Sequence, residues 1–293
     1  MAAETVPVLS LAAAGKIAAY SIQDSKHPEI ELAQAEHRIR LINVWNIKPG
    51  SRVLEIGCGQ GNCTAVLAEA VGPAGHVDAI DPAPGEYGAP FTLAQAQDHI
   101  SKSQVGDRVT WHRAEPVDFL QSSPATWDVA VLAHCIWYFK SEDTLKGILS
   151  TLHGIASRVC LAEYALQAGH AAAVPHVLAA LARGTLEAHK TQSTQNIQTP
   201  LSPDGVKRAV EAAGWKLQYE KVLTPSPGLL DGCWEVGTVV SSDFVEEIQQ
   251  GIESQRVKII LESARDATIA ATNAVGGTKK VQTMDVFVAA WGT

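Results

Sequence analysis

Along the chain, short apolar runs that end in glycine or Asp-Pro alternate with stretches whose apolar positions recur at helical spacing. Arg52–Ile56 is the first such run. It ends in a glycine turn, and Asn62–Val71 follows with helical spacing up to the breaker pair Gly72-Pro73. His76–Ile80 predicts a second strand that stops at Asp81-Pro82. Pro90–Lys102 predicts a helix with Pro90 in its first turn, and Arg108–His112 a third strand. Trp127–Ala133 predicts a fourth strand, apolar without interruption from Val129, as expected when both faces are covered. Ser141 opens a helix as its N-cap, with Glu142 and Asp143 in the first turn and one apolar stripe of Leu145, Ile148, Leu149 and Leu152. Arg158–Ala162 predicts the fifth strand, and Ser202-Pro203 starts a helix that Gly214 closes. Trp215–Val222 and Val281–Trp291 predict the last two strands, and Ser242 to about Asn273 reads as helix interrupted near Gly251.

Alternation of this kind predicts an α/β fold, a mostly parallel sheet with helices on both faces. Two regions break the rhythm. Residues 1–47 read as a helical N-terminal arm whose clearest part is Leu32–Trp45. Residues 165–201 interrupt the main domain, 48–293, with a helix at Pro175–Lys190 followed by the polar run Thr191–Pro200. Extra segments of this kind sit above the carboxyl edge of the sheet, where ligands bind, so this insert is expected to form a cap.

Composition narrows the class. With 46% hydrophobic and 18% charged residues in 293, the chain can fill a core and is not disordered. Its formal net charge of −8 argues against non-specific nucleic-acid binding. No stretch approaches the ~18 consecutive apolar residues of a membrane span. The apolar start carries Glu4 and no basic leader, so a soluble, cytoplasmic protein, monomer or homodimer, is expected. The five cysteines are odd in number and without paired spacing. Cys58, Cys135 and Cys160 read as small buried hydrophobes. No His-Glu-x-x-His or paired Cys-x-x-Cys suggests a metal.

The chemistry concentrates at Val53-Leu54-Glu55-Ile56-Gly57-Cys58-Gly59-Gln60-Gly61-Asn62. Glycines let the backbone pass close to a ligand and adopt positive φ. The spacing is G-x-G-x-G, with Asn62 where a dinucleotide fingerprint has its third glycine. Glu55 just before the turn would repel a pyrophosphate and attract an ammonium or a sulfonium. On these residues, together with Asp81 at the end of the next strand, the chain resembles the class I S-adenosylmethionine-dependent methyltransferases. The likeness runs through Glu115 and Pro116 to His134. The run Trp137-Tyr138-Phe139 and the insert are similar to small-molecule methyltransferases of secondary metabolism. The resemblance implies a Rossmann-like seven-stranded sheet and S-adenosyl-L-methionine as cofactor. It implies that Gly57, Cys58, Gly59 and Gly61 hold the methionine part, that Glu55 faces its amino group and that Asp81 takes the ribose hydroxyls. Glu115, with Pro116, would read adenine, although many relatives carry Asp-Ala there.

Methyl transfer is an in-line displacement, so the protein mainly aligns the partners and excludes water. His134 ends the fourth strand and is the first candidate base, competing with a role in shaping the pocket. It is also counted among the cofactor contacts. Glu163, at the end of the fifth strand, is the second candidate base, or a group that binds an amine substrate, or a helix cap. Trp137, Tyr138, His176 and Trp234 with Glu235 are candidate substrate-side residues, and Tyr20 and His27 candidate closing residues of the arm. The expected activity is methylation of an oxygen or nitrogen of a small, partly apolar or aromatic molecule. The alternatives are a cofactor-binding protein without transfer and a nicotinamide-dependent oxidoreductase.

Overall fold

The computed structural model describes residues 8–190, 193 and 195–293. Met1–Pro7 of the arm, and Thr191, Gln192 and Thr194 of the polar run, lie outside the described residues. The chain runs α1 (Ala14–Ala18), α2 (Pro28–Trp45), β1 (Arg52–Ile56), α3 (Asn62–Val71), β2 (His76–Ile80), α4 (Leu93–Ser101), β3 (Val109–His112) and α5 (Pro116–Ser122). It continues through β4 (Val129–Ala133), α6 (Glu142–Leu152), β5 (Arg158–Tyr164), α7 (Val174–Glu187), α8 (Pro203–Ala212), β6 (Lys216–Leu223) and α9 (Asp231–Val240). It closes with α10 (Ser242–Gly251), α11 (Gln255–Ala274) and β7 (Val286–Gly292). The seven strands form one sheet in the order β3-β2-β1-β4-β5-β7-β6. The pairs β1–β2, β1–β4, β2–β3 and β4–β5 are parallel, and β7 lies antiparallel to both β5 and β6.

Successive strand residues face opposite ways, so the apolar runs feed two cores. Val53, Val77, Val131 and Cys160 pack under α2 and α3, against Ile42, Trp45 and Leu67. Leu54, Ile56, Leu132 and Leu161 pack on the other face against the α6 stripe, Val206 and Val210 of α8, and Trp215. A third cluster joins α7 to α9, α10 and α11 through Leu186, Val236, Phe244, Ile248 and Leu261. The insert helix thus belongs to a helical layer built mostly by later segments. Cys58, Cys63, Cys135 and Cys160 are buried and free. No described helix is long and apolar enough to cross a membrane.

Boundaries depart from the sequence expectation where local bonding competes. α4 starts at Leu93 rather than Pro90, because Thr92 and Gln95 form a reciprocal capping box. Trp127 makes only an isolated bridge to Ala156 outside β4. β7 begins at Val286, not Val281. The preceding stretch bonds to the insert instead, Gln282 N to Ala172 O, Met284 N to His176 Nδ1 and Asp285 N to Gln167 O. α9 had no sequence expectation. It lacks a side-chain cap, carries Gly232 and Gly237, and is held by packing on α7 and α11.

Candidate functional site

The turn after β1 is shaped by contacts that exclude side chains. A Cβ on Gly57 would lie 2.5 Å from Cys135 Cβ, and one on Gly61 would lie 2.6 Å from Ile100 and 2.7 Å from Trp111. Both have positive φ, 73° and 93°. A Cβ on Gly59 would meet nothing within 4 Å, so that face of the turn is open. Asp81 stands against it: Gly59 N–H donates to Oδ2 at 2.9 Å and Ala83 N–H to Oδ1 at 2.9 Å. Each oxygen keeps a further lone pair. Cys58 is buried beneath the turn, and burial pushes its thiol well up, so it is inert. Glu115 is exposed ahead of α5, with no side-chain capping bond, and Pro116 behind it is buried.

Glu55 lies beneath the turn, 2% exposed, and accepts a hydrogen bond from Thr64 Oγ1. Burial pushes its carboxyl up from 4.5 to about 7, against the bonds from Thr64 and Cys63. Its folded value therefore lies above the unfolded one. The stability it contributes is full below the unfolded value and is lost as pH rises through about 7. Glu55→Gln should gain on the wild type by on the order of 3 kcal/mol between acid and mildly alkaline pH, read by urea unfolding of cofactor-free protein. A difference that does not change with pH would contradict this placement.

His134 and Glu163 come together, with a third residue absent from the sequence reading. His134 Nε2 and His37 Nε2 are 2.9 Å apart. The other ring nitrogen, Nδ1, lies 3.5 Å from Glu163 Oε1. Glu163 Oε2 accepts the N–H groups of Ile136 (2.9 Å) and Trp137 (3.2 Å), and Oε1 that of Tyr164 (3.0 Å). Glu163 thus caps the short 3-10 turn Ile136–Tyr138. Burial holds His37 well below the ordinary imidazole value, so it is neutral at physiological pH. Tyr164 stacks near both His134 (4.7 Å) and His176 (5.1 Å).

The substrate-side candidates divide. Trp137 is 2% exposed. Its indole N–H donates to Leu201 O, and its carbonyl accepts from Gln198 and Thr199, so it clamps the end of the insert. His176 is fully buried, accepts from Met284 N–H and is lowered by burial to about 4. Tyr138 and Trp234 remain open, 44% and 47% exposed. Tyr20 donates to Glu69 on α3, a packing role, while His27 borders the cleft.

The cleft, about 550 Å³, lies between the glycine turn, α2, the loop before α4, and α9. Lining residues not expected from the sequence include the polar Glu31, Gln34 and Arg38 on α2 and Asp231 on α9. The α2 residues stand at i, i+3 and i+7, a polar stripe legible in principle within the arm helix. Glu31 accepts from Asn62 Nδ2 at 2.9 Å and ties α2 to the turn. Arg38 donates to Gln34, but its buried Nε has no partner, and no carboxylate lies within ion-pair distance among the described residues.

Residues 53–155 match a family described as methyltransferase domain. Methyltransferase phomM′ of Diaporthe leptostromiformis is 29% identical over 278 residues, 80% of this chain and 71% of that protein. A 46-residue stretch is 50% identical to aklanonic acid methyltransferase DauC of Streptomyces sp. (strain C5), 16% of this chain and 21% of that one. Among solved structures, a cyclopropane-fatty-acyl-phospholipid synthase-like protein from Lactobacillus casei ATCC 334 superposes with a TM-score of 0.85 at 28% identity, covering 97% of this chain and 100% of that one. The glycine turn, the acid after β2 and the seven-stranded sheet agree with these findings, which support a class I S-adenosylmethionine-dependent methyltransferase.

Proposed function

We propose that the chain methylates an oxygen or nitrogen of a small, partly apolar or aromatic molecule. The observation that carries this reading is the form of the cleft. It is a 550 Å³ hollow roofed by α2 and α9, not an open groove of the kind a polymer would follow.

The site fits the family's cofactor. The open face of Gly59 leaves room against the turn, and the partly unsatisfied guanidinium of Arg38 awaits an anion. Gly57, Cys58, Gly59 and Gly61 would border the amino-acid end, and Asp81 would accept from the ribose hydroxyls. Glu115 and Pro116 would flank the base, and Arg38 would pair with the carboxylate. S-adenosylmethionine supplies a methyl carbon already activated by positive sulfur. The protein's part is alignment and the exclusion of water. Glu55 supports the turn from below through Thr64 and adds negative potential there as it ionises.

His134 Nε2 is engaged by His37, and Glu163 accepts three backbone N–H groups. We assign both a positioning role: they hold Tyr164 and the 3-10 turn that presents Tyr138. His134→Ala should lower turnover while leaving the shape of the pH–rate profile between about pH 6 and 9 unchanged. Loss of a limb of that profile would instead make His134 the base.

Arg38→Met should weaken S-adenosylhomocysteine binding about 10- to 100-fold, read by calorimetry, the range for one charge-assisted contact. Unchanged affinity would remove Arg38 from the cofactor's site. The function itself is tested by incubation with S-adenosylmethionine and paired small phenols, carboxylic acids and amines. Mass spectrometry should show one acceptor gaining a methyl group. Methylation only of protein or nucleic acid would overturn the small-molecule reading.

A further inference from the structure

The acceptor side of the cleft carries two acids, and Arg38, a cation lining the same cleft, reaches Asp231 only through Gln34. Asp231 opens α9 and lines the cleft, and Glu235 stands one turn further on. Asp231 accepts one bond, from Gln34 Nε2 at 3.2 Å. Glu235 makes no side-chain hydrogen bond or ion pair among the described residues. The nearby guanidinium of Arg183 is already held by Glu247 at 2.7 Å and Glu187 at 3.4 Å. A second observation points to an absent guest. The Tyr164 hydroxyl, on a residue only 8% exposed, has no hydrogen-bond partner among the described residues and feels the charges of both α9 acids. Tyr138 and Trp234 add two aromatic rings that remain open to a ligand.

A helix-terminal acid alone is explained by the helix dipole, which accounts for Asp231. It does not account for Glu235 in the second turn, half-buried and unpaired, or for the unpartnered phenol of Tyr164 close enough to feel its charge. Unpaired carboxylates beside aromatic rings suit an organic cation.

Building on methyl transfer as the chain's reaction, we propose that the acceptor is an amine. It is received as its ammonium by Asp231, Glu235 and the Tyr164 hydroxyl, and Glu235 takes its proton. In that step one N–H bond of the ammonium breaks, its electron pair stays on nitrogen and an O–H bond forms on Glu235. Methylation returns the nitrogen to a cation, and the proton leaves Glu235 for solvent. Burial, reinforced by the charges of Asp231 and Glu163, pushes the Glu235 carboxyl up to about 8, while Arg183 opposes. Tyr138, open to solvent, and Tyr164, whose phenol burial pushes well up, both lie near enough to feel its charge. Near neutral pH the free site therefore holds a proton that an arriving ammonium would expel.

The test is calorimetry on S-adenosylhomocysteine-saturated protein near pH 7, in two buffers of different ionisation enthalpy. The probes are a set of primary and secondary aryl-alkyl amines, each paired with its isosteric alcohol. At least one amine should bind tenfold or more tightly than its alcohol and release most of one proton per site. Glu235→Gln should lose about tenfold in amine affinity and the proton release, with alcohol binding unchanged. Asp231→Asn, a second variant, should weaken the amine and keep the proton release. Amines no tighter than alcohols, or proton release surviving Glu235→Gln, would overturn the proposal. Absence of S-adenosylhomocysteine binding would instead fail the cofactor reading on which it rests.

Discussion

Asp81→Ala is expected to weaken S-adenosylhomocysteine binding by at least about a hundredfold. Its two oxygens hold Gly59 N–H and Ala83 N–H, each at 2.9 Å, so the carboxylate fastens the glycine turn to the loop after β2. Its remaining lone pairs face the side where the ribose is proposed to lie. Removing two charge-assisted bonds costs about 3 kcal/mol or more, and each 1.4 kcal/mol is tenfold in affinity. Asp81→Asn keeps one acceptor oxygen and should fall between, about tenfold weaker than the wild type. Calorimetry gives the affinities, and thermal unfolding shows whether the variants stay folded. Affinity within twofold of the wild type for a folded Asp81→Ala would remove Asp81 from the site.

Gly57→Val should be among the most damaging single changes in the chain. The added Cβ falls 2.5 Å from Cys135 Cβ and 3.0 Å from its Sγ, at a φ of 73°. The backbone cannot retreat easily, because Gly57 N–H and Cys58 N–H both donate to Ile80 O. Overpacking and left-handed strain at a β-branched residue together cost about 3–5 kcal/mol. Urea unfolding should show that loss, and cofactor binding should fail at temperatures where the variant still folds. Cys135→Gly in the same chain removes both clashing atoms and should restore part of the stability. Cys135→Ala leaves Cβ in place and should restore little. Equal rescue by both would contradict the geometry.

What was legible in the sequence follows from how local each constraint is. The turn after β1 demands glycines because Cys135, Ile100 and Trp111 press on it. The demand surfaces as a motif within one short segment. Asp81 is legible for a similar reason: a parallel strand must end there, and Pro82 marks the end. α6 carried its own cap and stripe, and Ser141 does cap it. Long-range pairings leave no such mark. His37 and His134 are 97 residues apart, and nothing in either segment tells that the rings meet. Arg38 sat on a helix already read as part of the arm. Its polar stripe with Glu31 and Gln34 could have been found, but not the fact that this stripe faces the turn. α9 leaves no local mark because two glycines and a capless start conceal it, although Trp234 and Glu235 stand out as residues. Trp137 shows the reverse error: an aromatic next to the strand end suggests a pocket wall, yet its indole reaches the carbonyl of Leu201, 64 residues on.

The most direct measurement is a crystal structure of the chain with S-adenosylhomocysteine. The account predicts the amino-acid end against Gly57–Gly61 with its carboxylate on Arg38, the ribose hydroxyls on Asp81, and the sulfur directed toward Tyr138 and Glu235. Ligand density elsewhere, or a bound nucleoside whose sulfur points away from α9, would contradict it.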